Sequence, residues 1–113
     1  MLTIERNEHS VIVYDEEEGK GIAFPTTADK DVNLYVQELK ERAQVIKPGT
    51  TLVPLLFDTR YRENSRPMQL FLADNTIESV FQDDTTAIEL YEFYFAHAIP
   101  QISHAGMDWI FCL

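Results

Sequence analysis

Hydrophobic and polar positions alternate with different periods in different parts of the chain, and the period predicts the element. Residues 10–14, Ser-Val-Ile-Val-Tyr, are β-branched and aromatic and read as a strand. The acidic run Asp15 to Glu18 and Gly19-Lys20-Gly21 then read as a turn, after which Ile22-Ala23-Phe24 returns as the second strand of a hairpin. Pro25 stops it, and Thr26 or Thr27 is the expected cap of a helix. Val32, Tyr35, Val36, Leu39, Ala43 and Ile46 recur at spacings of three and four, which puts them on one helical face. Glu38 and Arg42 form an i,i+4 pair on the other face, and Pro48-Gly49 ends the helix.

The second half is read by the same rules. Residues 51–57 form a buried strand, with Pro54 marking an edge or a bulge because it donates nothing to a ladder. Residues 58–66 are a polar loop, 68–72 a further strand and 76–81 a third strand of a meander. Asp83-Asp84-Thr85-Thr86 caps a second helix over 86–98, whose face carries Ala87, Leu90, Tyr91, Tyr94, Phe95 and Ala98. Its aromatic content leaves a strand open as the alternative. Residues 107–113 are apolar and read as a last strand. The expected order is β-β-α-β-β-β-α-β. That is an α+β domain over residues 1–113, with a mostly antiparallel sheet and both helices packed on one of its faces.

Composition supports a real core. The chain has 113 residues, 45% of them apolar, and 13 are aromatic. Disordered chains lack the apolar groups to offset ordering entropy, so folding is expected. A single cysteine, Cys112, makes no internal disulfide and sits in an apolar run, where it reads as a small hydrophobe. No basic region followed by an apolar run opens the chain, and no apolar stretch approaches a membrane span, so a cytoplasmic location is expected.

Charge narrows the partners. Net charge is −10, and residues 67–113 hold seven acids with no Lys or Arg at all. Few cations are present to displace counterions, which argues against direct nucleic-acid binding. A basic protein partner fits the charge better. Within the base-free stretch, Asp83, Asp84, Glu89 and Glu92 are the candidate contacts, with Tyr91 and Tyr94 as candidate apolar anchors. The run Glu16 to Glu18 reads as a solvated turn.

Motifs for catalysis are missing: there is no glycine-rich nucleotide loop, no nucleophile elbow and no His-Glu-x-x-His pair. No cofactor or metal is expected, and catalysis is not the leading reading. Two features support an enzyme or ligand-binding pocket as the alternative. His97, His104 and Asp108 could converge as three ligands of an open metal site, although their spacing matches no regular ligand pattern. Arg60, Arg62 and Arg66, with Tyr61 among them, form a basic cluster able to hold an anion, or else to pair with the molecule's own carboxylates. In a third reading the aromatic surplus forms the face of a homodimeric structural or chaperone subunit. In size and charge the chain is similar to toxin immunity proteins, phage anti-defence inhibitors and acidic secretion chaperones. The likeness is compositional and covers no motif. Secretion chaperones of this size usually open with a helix, whereas this chain reads as opening with strands. The leading expectation is therefore a small acidic inhibitor that covers a basic partner's functional cleft.

Overall fold

A computed structural model describes residues 1–26, 32–51, 70–71, 73–100 and 102–112, without the side chains of 77, 78 and 104. Apart from Thr51, the expected strand over 51–57 lies outside the described residues, as does the loop over 58–66. Three strands open the chain: β1 (Thr3–Arg6), β2 (Ser10–Asp15) and β3 (Lys20–Pro25). Helices follow, among them α1 (Val32–Ile46), α2 (Ile77–Gln82) and α3 (Asp84–His97). The chain then returns as β4 (Ile102–His104) and β5 (Met107–Phe111).

All five strands make one sheet in the order β1-β2-β3-β5-β4. Every pairing is antiparallel except β3 with β5, which run parallel with Ile22 opposite Ile110. A parallel neighbour requires a crossover, and the helices supply it. The class is α+β as the pattern predicts, but the element order is not. Residues 76–81 are not a strand: Thr76 caps α2 by accepting the Ser79 N–H at 3.2 Å. Leu70 and Phe71, within the expected strand over 68–72, are helical as well. The Thr26 hydroxyl donates to the Glu8 carbonyl at 3.1 Å, and Thr27, the other expected cap, lies outside the described residues.

The helices also do not share a face. Val11, Val13, Ile22, Phe24, Ile110 and Cys112 point to one side and pack with Val80 of α2 and with Ala87, Leu90, Tyr91 and Tyr94 of α3. Ile12, Ala23, Met107, Trp109 and Phe111 point to the other and pack with Tyr35, Leu39, Ala43 and Ile46 of α1. The reason lies in the strands. β2 and β3 are apolar at successive positions rather than alternate ones, so both sheet faces need cover. Tyr35 fastens α1 by donating its hydroxyl to the Cys112 carbonyl at 2.7 Å.

The edge strand β1 is held by charge on both faces. Glu5 points towards α1, where its carboxylate accepts from Arg42 Nε and, at 2.9 Å, from Nη2. Arg6 points the other way, to the Phe81 carbonyl and to Asp84 at 2.7 Å. The expected Glu38–Arg42 pair is thus replaced. Glu38 instead accepts from the His9 N–H at 3.0 Å and from the Ser10 hydroxyl. Charged side chains on an edge strand also discourage pairing with a second sheet.

A pH dependence follows. The Arg42 hydrogen bond holds the Glu5 carboxyl below its ordinary value, against an upward push from burial. A carboxyl depressed on folding contributes stability that is fully present above about pH 4.5 and is lost as pH falls through the lowered value. Melting temperature measured from about pH 6 down to pH 3 should fall less steeply in Glu5→Gln than in the native chain. Equal slopes would show that the pair carries no linked stability.

Candidate functional site

Asp83 and Asp84 are occupied within the fold. Asp83 caps α3, accepting from the Thr85 N–H at 3.1 Å and from the Thr86 hydroxyl at 2.9 Å. Asp84 pairs with Arg6. Glu89 and Glu92 are exposed on the outer face of α3. Tyr91 and Tyr94 are not surface anchors: they are 5% and 1% exposed and belong to the core. They share the stripe of Ala87 and Leu90, which must face the sheet.

The alternative sites do not assemble among the described residues. Arg60, Arg62 and Arg66 lie outside them. His97 is exposed, stacks on the Phe93 ring at 4.4 Å and donates Nδ1–H to the Phe93 carbonyl at 2.9 Å. Asp108 accepts from the Ser103 hydroxyl at 2.6 Å, and the backbone of His104 pairs with Met107. Among the described residues no group of three or more His, Cys, Asp or Glu is placed to hold a metal ion. The side chain of His104 lies outside them. Cys112 is buried, as its apolar setting predicts, and burial pushes its thiol up to about 12 against a Tyr94 hydrogen bond. A thiol so raised is protonated at neutral pH and is a poor nucleophile.

A different cluster gathers at one end of the sheet, where β2 turns into β3. Asp15 builds the turn. Its carboxylate accepts the N–H groups of Glu17 at 3.0 Å and Glu18 at 3.3 Å, and Gly19 N–H returns to the Asp15 carbonyl at 2.9 Å. Gly19 closes it at φ 69°, a conformation that favours glycine. The terminal amine of Met1 lies 3.2 Å from the same carboxylate. Burial pushes the Asp15 carboxyl up, but the two N–H bonds and the amine outweigh it and leave it lowered. With the backbone fixed in this way, Glu16, Glu17 and Glu18 all face solvent.

Other elements reach this end of the sheet as well. The last turns of α3 reach this end, since Lys20 Nζ sits 5.8 Å from the Phe95 ring centroid. The end of α1 arrives too: a Cβ placed on Gly49 would lie 3.6 Å from that of Ala105, in the turn between β4 and β5. That turn abuts the acidic one, because a Cβ on Gly19 would stand 2.6 Å from the Gly106 carbonyl oxygen. The ends of α1 and α3 thus reach this end of the sheet, together with the side chains of Lys47 and Lys20. Tyr91, whose ring lies 4.9 Å from that of Phe95, has a buried hydroxyl without a hydrogen-bond partner. Burial first, then the carboxylates of Glu18, Asp15 and Glu92, pushes it up to about 12.

Sequence reasoning reads Glu16 to Glu18 as a solvated turn and does not see this convergence. The only signal for it is the run of four acids itself. No protein-family model, curated protein or solved structure matches the chain. No helix among the described residues is long and apolar enough to cross a membrane.

Proposed function

We propose that the chain is a small acidic cytoplasmic binding domain that neutralises a basic protein partner by covering its functional surface, in the manner of a stoichiometric inhibitor. The observation that carries this reading is the exposed Glu16-Glu17-Glu18 turn, held in place by Asp15. The turn takes the place of the α3 N-terminus as the contact surface, because Asp83 and Asp84 already serve the fold. A preset negative surface steers a basic partner into encounter, and close packing then sets residence time.

Affinity capture from the native host's lysate tests it, run in parallel with the native chain and the triple variant Glu16→Gln, Glu17→Gln, Glu18→Gln. Mass spectrometry should find one basic protein at a one-to-one ratio with the native chain. The triple variant should associate with that protein roughly ten-fold more slowly or worse. Capture that survives the triple variant but is lost on Glu89→Gln would move the surface to the outer face of α3. Loss of binding with Arg6→Ala alone would point back to the α3 N-terminus.

A further inference from the structure

We propose that the Tyr91 hydroxyl, beside Phe95 and Lys20 at the end of the sheet where Glu16 to Glu18 turn, receives the guanidinium of one arginine of the basic partner. The inference rests on the reading that this end meets such a partner, and it names the group recognised there. Tyr91 is 95% buried, the complement of its 5% exposure, and its hydroxyl has no partner. An unpaired buried hydroxyl is a cost that folding alone does not explain, since phenylalanine would fill the same space without it. Carboxylates of Glu18, Asp15 and Glu92 act on it, so the vacant lone pairs face a field that attracts cations.

A cation is already held beside it. Lys20 Nζ lies 5.8 Å from the centre of the Phe95 ring, and that ring lies 4.9 Å from the Tyr91 ring. Lys20 thus acts as an internal stand-in that an incoming cation displaces. Arginine fits better than lysine for geometric reasons. Its planar guanidinium stacks on an aromatic face while its five N–H groups reach a hydroxyl and two carboxylates at once. The hydroxyl is closed to water, so entry requires the side chains that cover it to swing aside.

The test uses the full chain and two probes, hexa-arginine and hexa-lysine peptides, titrated by calorimetry. The native chain should bind hexa-arginine more tightly than hexa-lysine. Tyr91→Phe should bind hexa-arginine roughly ten-fold more weakly or worse, the scale of one hydrogen bond to a charged group. Its melting temperature should stay level or rise, because the variant removes an unpaired polar group. Lys20→Met should tighten binding by more than Lys47→Met, a change of equal charge at the same end of the molecule. Binding that ignores Tyr91→Phe but disappears in the triple Gln variant would overturn this inference and leave the acidic surface standing. No binding of hexa-arginine at low salt would overturn both.

Discussion

Leu39→Asp should unfold the domain. Leu39 is 1% exposed in the middle of α1 and packs in one cluster with Ile12, Ala23, Tyr35 and Trp109. Truncating a buried leucine costs about 2–5 kcal/mol. A carboxylate in its place adds the penalty of burying a charge with nothing to pair it. The sum meets or exceeds the total stability of an ordinary domain, about 5–15 kcal/mol. Circular dichroism should show lost secondary structure, and Trp109 emission should shift to that of a solvated indole. Lys40→Asp, one residue along on the exposed side, should change stability by about 0.5 kcal/mol or less. A native-like Leu39→Asp would mean that this face of α1 is not core.

Gly21→Ala should be the most damaging one-carbon change in the sheet. Gly21 lies opposite Trp109 in the parallel β3–β5 ladder, and a Cβ there would stand 2.4 Å from the indole Cζ3. The position demands space rather than a left-handed backbone. Trp109 is itself 1% exposed and stacked on Phe111 at 5.8 Å, so it has nowhere to retreat. Overpacking of this kind costs about 1–3 kcal/mol, and a rigid indole puts the expectation at the upper end. Urea denaturation should show it as a lowered midpoint with an unchanged slope. Trp109→Leu in the same chain should relieve the clash, so the double variant should be less destabilised than the sum of the two single ones. Strict additivity would show that the indole does not occupy that space.

How much of this is legible in the sequence differs from element to element. The first hairpin, α1 and α3 follow from periodicity and capping chemistry, and the structure has all three. Residues 76–81 carry apolar side chains at 77, 80 and 81, a helical spacing, behind a Thr76 cap. The same residues also alternate well enough to read as a strand, and the helical spacing behind the cap is what prevails. Strands β1 and β4 are short, carry one apolar residue each, Ile4 and Ile102, and lie at the sheet edges, where little apolar signal is needed. The placement of helices on both faces was also present, in the unbroken apolar run of β2. Glu38 and Arg42 have the right spacing to pair, but β1 and the start of β2 offer each a better partner across the fold.

The candidate site was less legible, for a physical reason. Tyr91 and Tyr94 fall on the core stripe by spacing alone, so their burial was readable. Asp83 and Asp84 are acids that a helix start uses for itself. The meeting of Glu18, Lys20, Tyr91 and Phe95 depends on strand register and on where α3 crosses the sheet, and no local pattern encodes that.

The most direct test of the central claim is a residue-resolved one. The ¹⁵N-labelled chain is titrated with hexa-arginine and followed by amide chemical shifts, at about 0.02 M and again at about 0.5 M salt, where screening shortens to a few Å. Shifts confined to residues 15–20 and 91–95 at low salt, and collapsing at high salt, are the predicted result. Shifts centred on Asp83 and Asp84, or spread evenly over the surface, would contradict the account.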